Sequence, residues 1–257
     1  MQLCANLSMM FNEVPFLDRF EAAARAGFKG VEFLFPFEYE AAELRARLDA
    51  NGLEQVLFNA PPGQWADGER GTASLPGRQA EFRDGVKRAL DYAQVLGNKL
   101  VHVMAGIPAG VPPVTAATVY AANLAWAAEL AHAAGIKLVI EPINHRDMPG
   151  FHLNTMAQGA AVIDAVGRDR LGLQFDLYHC QVTEGDVVKR MEAFMPVIAH
   201  MQVADVPDRH EPGTGELGWE FIFRRIQSLG YDGWIGCEYR PAGETSAGLG
   251  WRERYIV

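Results

Sequence analysis

Eight short, mainly apolar segments recur along the chain, and a helix-like segment follows each of them. Because their apolar residues are nearly continuous, these segments predict strands buried on both faces, as in a parallel sheet. Between them, apolar residues recur at helical spacing and often end at a glycine. The predicted strands are LCANL (3–7), GVEFLF (30–35), LEQVLFN (53–59), KLVHVM (99–104), KLVIE (137–141), LGLQFD (171–176), IAHMQV (198–203) and GWIGCEY (233–239).

This alternation runs over residues 1–257 without a linker, so it predicts one domain with an α/β fold, a single (β/α)₈ TIM barrel. The length agrees with the roughly 250 residues that such barrels usually need. A doubly wound sheet would place a glycine-rich loop after its first strand, and residues 6–15 contain no glycine. Several loops after strands are long whereas the helix-to-strand turns are short, which indicates a functional face at the carboxyl ends of the strands.

Composition excludes some classes of partner. The net charge of −9 disfavours a general nucleic-acid surface. No run of eighteen apolar residues predicts a transmembrane helix, and the start of the chain lacks the features of a signal peptide. Three cysteines without metal-ligand spacing indicate reduced thiols in a cytoplasmic protein.

Four oxygen-bearing side chains end four successive predicted strands: Glu141, Asp176, Gln202 and Glu238. Because the carboxyl ends of barrel strands converge on one face, we expect these side chains to lie close together. A single carboxylate in such a place is more often a cap or an ion-pair partner, but four in succession indicate a functional site. Oxygen ligands suit Mg²⁺ or Mn²⁺, whereas zinc prefers histidine or cysteine.

Glu141 and Glu238 are also candidates for proton transfer, because a substrate could lie between them. A base and an acid placed in this way would suit proton movement next to a carbonyl group, with a metal polarising the oxygens of an enediolate. His179 follows Asp176 closely and either hydrogen-bonds a substrate oxygen or anchors a loop. Arg209, in the loop after the seventh strand, either holds a substrate carboxylate or remains solvated. Polar residues of the early strands, Glu32 among them, could line the same cavity.

Several long segments resemble hydroxypyruvate isomerase, within the wider xylose isomerase-like group of TIM barrels. The resemblance extends over essentially the whole chain. The segments that carry it are ANLSMMF (5–11), GVEFLFPFEY (30–39), GERG with LPGR (68–78), EPINHRDMPGFHL (141–153), DLYH (176–179), HMQVAD with PDRHEPGTGE (200–216) and GWIGCEYRP (233–241).

The resemblance implies an aldose–ketose isomerase that interconverts hydroxypyruvate and 2-hydroxy-3-oxopropanoate (tartronate semialdehyde). The family's acid/base glutamates fall on Glu141 and Glu238, and its metal positions on Glu141, Asp176, Gln202 and Glu238. In the related ketose 3-epimerases a histidine stands at the position of Gln202, which argues against an epimerase and leaves open whether the metal is obligatory. In the expected mechanism, the two glutamates move protons through an enediol while His179 and Arg209 bind the substrate.

Three alternatives stay open. One relative isomerises 2-oxo-tetronate, a four-carbon acid, and the segments NLSMMFNEVPF (6–16), VHVMAG (101–106) and VPDRHEP (206–212) resemble that branch. A second alternative is a barrel that binds sugar acids without converting them, and a turnover assay would distinguish it from an enzyme. A metal-dependent DNA repair endonuclease would need a basic groove and a histidine-rich zinc cluster, neither of which the sequence predicts. A homo-oligomer is compatible with the resemblance.

Overall fold

The computed structural model describes residues 1–256 and contains eight parallel strands, β1 to β8, that close into a barrel in chain order. Every strand pairs in parallel with the next, and β8 pairs with β1 to close the ring. The predicted single (β/α)₈ TIM barrel is therefore confirmed. The strands β1–β8 are Gln2–Asn6, Gly30–Phe33, Glu54–Asn59, Leu100–His102, Lys137–Ile140, Leu171–Asp176, Ile198–Val203 and Trp234–Cys237.

Helices surround this barrel, and local sequence signals fix several of their ends. Helix α2 ends at Gly52, whose left-handed backbone (φ 60°) costs a glycine little. Helix α5 begins after a capping box formed by Thr155 and Gln158. Within residues 1–256 the α-helices are α1 Arg19–Arg25, α2 Ala41–Asn51, α3 Gln79–Leu96, α4 Pro113–Ala133, α5 Met156–Val166, α6 Leu177–Thr183, α7 Val187–Phe194, α8 Trp219–Ser228 and α9 Trp251–Tyr255.

Helix α6 is the clearest addition to the predicted elements. It begins directly at the end of β6, where the Asp176 carboxylate accepts hydrogen bonds from the backbone N–H groups of Tyr178 and His179. This N-cap satisfies two donors that a helix would otherwise leave unpaired. The helix places His179 beside the strand ends, so the cap contributes directly to the candidate site.

The interior of the barrel changes character from one end to the other. A small apolar cluster formed by Cys4, Val56, Leu57 and Val139 fills one part of it. Further along the same strands the buried side chains are polar, Asn6 and Asn59 among them, and Glu32 on β2 is buried as well. The larger apolar core lies between the strands and the surrounding helices. The polar layer therefore lies between the apolar filling of the barrel and the face on which the predicted site residues converge.

Two predictions from composition meet the structure here. All three cysteines are free and buried, Cys4, Cys180 and Cys237 alike. Across residues 1–256, no helix combines the length and the apolar character that a membrane crossing would need. The helix-like segment predicted after the eighth strand corresponds to a 3₁₀ turn, Ala247–Gly250, followed by α9, and the final residue of the chain, Val257, lies outside the described residues.

Candidate active site

Three carboxylates meet at the carboxyl ends of β5, β6 and β8. Glu141 directly follows β5, Asp176 ends β6 and Glu238 directly follows β8. His179 Nε2 lies 3.7 Å from Glu141 Oε1 and 3.6 Å from Asp176 Oδ2. The Arg209 Nη2 atom lies 3.2 Å from Asp176 Oδ2 and 2.9 Å from Glu238 Oε1. Five residues singled out from the sequence thus form one connected, mostly buried group.

Arg209 enters this group from the loop after β7 rather than pointing into solvent. Its backbone is left-handed (φ 60°), a conformation that costs a non-glycine residue on the order of 1–3 kcal/mol. The guanidinium also lies over the Tyr178 ring, 4.9 Å from its centroid. Its Nε atom is buried and has no hydrogen-bond partner among the described residues. The arginine therefore retains an N–H group that could donate a hydrogen bond to a substrate oxygen.

The loop that carries Arg209 is organised around a buried carboxylate, Asp205. Its two oxygens accept hydrogen bonds from the backbone N–H groups of Val206, Gly213, Gly215 and Leu217 and from the Trp219 indole. These bonds gather a long connection into a fixed shape, because each satisfies a backbone donor that would otherwise lie unpaired. Asp205 therefore holds the backbone from which Arg209 reaches the site.

Gln202, on β7, lies next to Glu238, and its amide nitrogen faces that carboxylate. The Nε2 atom donates to Glu32 Oε1 at 2.9 Å and also to Glu238 Oε2. Its Oε1 atom accepts a hydrogen bond from Gln174 Nε2 at 2.7 Å. With the amide in this orientation its oxygen is already occupied, so the predicted role as a metal ligand would require the amide to turn.

Glu32 forms a second buried centre directly below Gln202. His200 Nε2 lies 2.7 Å from Glu32 Oε2, and the Asn6 amide donates to Glu32 Oε1 at 3.1 Å. Burial opposes ionisation of Glu32, but the charge and hydrogen bond of His200 outweigh it and lower its pKa. The space for this carboxylate comes from Gly236, where an added Cβ would lie only 2.4 Å from Glu32 Oε1.

The pKa values of Glu141, Asp176 and Glu238 are shifted in the opposite direction. Burial raises the pKa of Glu238 to about 8 and that of Asp176 to about 6. Burial, followed by the charges of Glu238 and Asp176, raises the pKa of Glu141 well above its usual range. These carboxyls therefore retain protons to a higher pH than ordinary carboxyls do, and perturbed pKa values of this kind are typical of sites for acid–base chemistry.

Part of this group also has the chemistry of a cation site. One ligand atom from each of Glu141, Asp176 and His179 lies within 4.8 Å of the others. The Glu141 Oε1 atom is buried and has no hydrogen-bond partner among the described residues. An unpaired buried oxygen beside a second carboxylate suits a hard divalent cation, so these two acidic residues fit such an ion.

Some residues of the site gave only weak signals in the sequence. His200 precedes Gln202 by two residues on β7, and the period of two along a strand places both on the same face. Asn144 lies in the long loop after β5 and contacts His179, with 2.6 Å between Asn144 Nδ2 and His179 Nδ1. An asparagine in a loop is ordinarily interpreted as a turn residue, and only the fold brings this one to the site.

Comparisons with known proteins agree on the family. The sequence profile described as xylose isomerase-like TIM barrel matches residues 20–255. A 2-oxo-tetronate isomerase from Cupriavidus necator is 57% identical over 256 residues, which cover 99% of this chain and 98% of the relative. A hydroxypyruvate isomerase from Escherichia coli is 47% identical, with 99% of each chain covered.

A solved structure shares nearly the whole backbone. A protein from Brucella melitensis, described as an AP endonuclease of family 2, superposes with a TM-score of 0.97. It is 45% identical, and the match covers 99% of this chain and 98% of the other. The fold and the arrangement of strand ends described above are therefore those of an experimentally observed relative.

Proposed function

The chain belongs to the xylose isomerase-like TIM-barrel family and is an isomerase, and we propose that it moves a carbonyl group between C2 and C3 of a short hydroxy-oxo acid. The observation that carries the proposal is the convergence of Glu141, which is buried, and Glu238, whose side chain is 12% exposed, on one group with Arg209; the pKa values of both glutamates are raised. Hydroxypyruvate and 2-oxo-tetronate, named for the two relatives, each carry a carbonyl at C2 and a hydroxyl at C3. One reaction therefore serves both acids.

The contacts of the two glutamates suggest different parts in this reaction. Glu238 accepts hydrogen bonds from Arg209 and Gln202, and such donors favour its ionised form. Glu141 Oε1 has no such donor, so a proton resides more readily on Glu141. Starting from the 2-oxo acid, Glu238 removes the proton from C3 and Glu141 delivers a proton to C2. The hydroxyl proton moves from the C3 oxygen to the C2 oxygen, so the product is an isomer of the substrate.

Arg209 and His179 are the proposed substrate contacts. The free Nε donor of Arg209 suits the substrate carboxylate, because a guanidinium pairs with carboxylates in a fixed geometry. His179 lies between Glu141 and Asp176 and is placed to hydrogen-bond a substrate oxygen. A buried, pre-arranged donor stabilises charge that develops on that oxygen during proton removal.

A divalent cation, Mg²⁺ or Mn²⁺, would be held by the carboxylates of Glu141, Asp176 and Glu238. When bound, such an ion polarises a carbonyl oxygen and stabilises negative charge on it. Arg209 already pairs with two of these three carboxylates, so its positive charge disfavours a second cation in the same place.

The experiment that tests the proposal is proton NMR of the purified protein in D₂O with Mg²⁺, run separately on hydroxypyruvate and on 2-oxo-tetronate. We expect interconversion with 2-hydroxy-3-oxopropanoate, or with the corresponding four-carbon 3-oxo acid, together with deuterium incorporation at the reacting carbon. The two turnover rates show which acid is the better substrate: hydroxypyruvate, which the sequence predicts, or the four-carbon acid named for the 57% identical relative. The absence of both turnover and deuterium exchange with both acids would contradict the proposal and favour a binding protein.

A further inference from the structure

The amide of Asn144 is held in one orientation by the backbone of its own loop. Its Oδ1 atom lies 2.8 Å from the backbone nitrogen of Asp147, and a backbone N–H can only donate. The atom facing that nitrogen must therefore be the amide oxygen. The opposite end of the amide, Nδ2, can only donate, and it lies 2.6 Å from His179 Nδ1.

This contact determines which nitrogen of His179 carries the hydrogen. Because Asn144 Nδ2 donates, His179 Nδ1 must accept with its lone pair, and in a neutral imidazole the hydrogen then resides on Nε2. A protonated ring would also carry a hydrogen on Nδ1, which would then face the Asn144 N–H₂ donor to donor, so the same contact requires a neutral ring. Both residues are buried, so solvent does not compete for these contacts.

The Nε2–H group of His179 is directed at the acidic group. Glu141 Oε1 lies 3.7 Å away and Asp176 Oδ2 lies 3.6 Å away, both beyond the usual length of a hydrogen bond. The donor therefore faces both carboxylates without being committed to either. An oxygen of a substrate that enters between them would give it a close partner.

We propose that Asn144 is a positioning residue that fixes His179 as a neutral Nε2–H donor to a substrate oxygen, and that His179 is not a metal ligand. This inference rests on the proposed isomerase function for the identity of the oxygen, but the tautomer itself does not depend on any substrate. A histidine that ligates a metal presents a bare nitrogen to the ion and usually donates its other N–H to an acceptor. Here the neighbour of Nδ1 is a donor, which is the reverse arrangement.

The tautomer can be measured directly in the whole protein. Long-range ¹H–¹⁵N NMR on protein labelled with ¹⁵N-histidine distinguishes the protonated ring nitrogen from the bare one, and His179→Gln identifies the signals of His179. We expect a neutral ring protonated at Nε2 at neutral pH, unchanged when Mg²⁺ is added. A bare Nε2 in the free protein, or loss of the Nε2 hydrogen on adding Mg²⁺, would overturn the proposal.

Asn144→Asp tests the consequence for catalysis. An aspartate can still accept from the Asp147 N–H, but its second oxygen can only accept from His179, so the ring hydrogen should move to Nδ1. We expect kcat to fall about 100-fold, with a smaller change in KM, because one donor to the developing charge is lost. Asn144→Leu removes the constraint without adding a charge and should also lower kcat.

Asn154→Asp is the matched control. Asn154 lies in the same loop and its amide approaches His145 instead, at 3.4 Å, so this variant adds the same charge without touching His179. It should keep both the tautomer and kcat. If Asn144→Asp moves the hydrogen to Nδ1 and yet keeps the kcat of the unmodified protein, His179 is not the donor we propose. Failure of both acids to turn over would contradict the proposed function while leaving the tautomer measurement interpretable.

Discussion

Glu32 and Glu141 are the same residue type, both buried inside the same barrel, yet their surroundings are opposite. Glu32 accepts hydrogen bonds from Asn6, His200 and Gln202, and the Cys4 thiol lies 3.5 Å away. Glu141 Oε1 has no hydrogen-bond partner among the described residues, and the Glu141 Oε2 atom lies 3.8 Å from His102. The donors around Glu32 lower its pKa. Glu141 lacks such donors, and burial raises its pKa.

The difference separates a carboxylate that stabilises the fold from one that is available for chemistry. A buried charge is tolerated when donors replace the water it has lost, as around Glu32. A buried carboxyl without donors costs stability, and such costs in folded proteins concentrate where a ligand or a reaction supplies the missing partner. Glu141 is therefore the position at which a proton, a cation or a substrate completes the site.

The largest expected effect on activity comes from Glu141→Gln. The amide keeps the shape but cannot transfer a proton, so isomerase turnover should fall by about 10³-fold. The same change removes a carboxyl that burial disfavours, so the melting temperature should not fall. Turnover by NMR and melting by calorimetry measure both quantities. Near-full activity in a folded Glu141→Gln protein would contradict the role of Glu141 in proton transfer.

Glu32→Gln should have the opposite profile, with the larger effect on stability. Removing the charge leaves His200 without the carboxylate that it contacts and places an amide N–H₂ among donors, so the free energy of unfolding should fall by about 3 kcal/mol. Urea unfolding measures this, with Glu54→Gln, an exposed glutamate at the start of β3, as the matched control. A loss below about 0.5 kcal/mol, the usual range for surface changes, would contradict the structural role of Glu32.

Arg209→Gln should separate substrate binding from cation binding. Loss of the guanidinium removes the proposed substrate contact, so KM should rise by about tenfold or more. It also removes a positive charge near 3 Å from Asp176 and Glu238, so the affinity for Mn²⁺, measured by calorimetry, should rise by about tenfold. Arg146→Gln, at an exposed position in a neighbouring loop, is the control. Weaker Mn²⁺ binding in Arg209→Gln would show that the arginine supports the cation instead of opposing it.

A further expected effect is a dependence of stability on pH. Because the pKa values of Asp176 and Glu238 are raised to about 6 and about 8, the folded protein binds more protons than the unfolded chain over this range. Stability is then fully present at low pH and is lost as the pH rises through those values. In the absence of divalent metal, the melting temperature should decline between pH 5 and pH 8, and less steeply in Glu238→Gln. A rising melting temperature over this range in the unmodified protein would contradict the sign.

The fold and much of the site are accessible from the sequence for a physical reason. Strands buried on both faces are continuous apolar runs, and the barrel brings their carboxyl ends together, so the pattern along the chain is enough to group Glu141, Asp176 and Glu238. The same pattern places Gln202 correctly next to Glu238, but it does not determine which end of the amide faces the site. That orientation depends on Glu32 and Gln174, which lie on other strands.

Contacts between distant loops are not accessible in this way. Arg209 is one of several loop cations in the sequence, and only the hydrogen bonds to Asp205 and the left-handed backbone at Arg209 direct it inwards. The pairing of Asn144 with His179 joins residues 35 positions apart, with a helix and a strand between them. Polar contacts of this kind have no periodicity, so patterns along the chain do not reveal them.

The most direct test of the contrast is the protonation of the two glutamates themselves. Carboxyl ¹³C NMR of protein labelled at the glutamate side-chain carboxyl carbon, assigned with Glu32→Gln and Glu141→Gln, follows each group as the pH changes. We expect Glu141 to be protonated at neutral pH in the metal-free protein, and Glu32 to stay ionised below the usual pKa of glutamate. Titration of both carboxyls together near their ordinary pKa would contradict it.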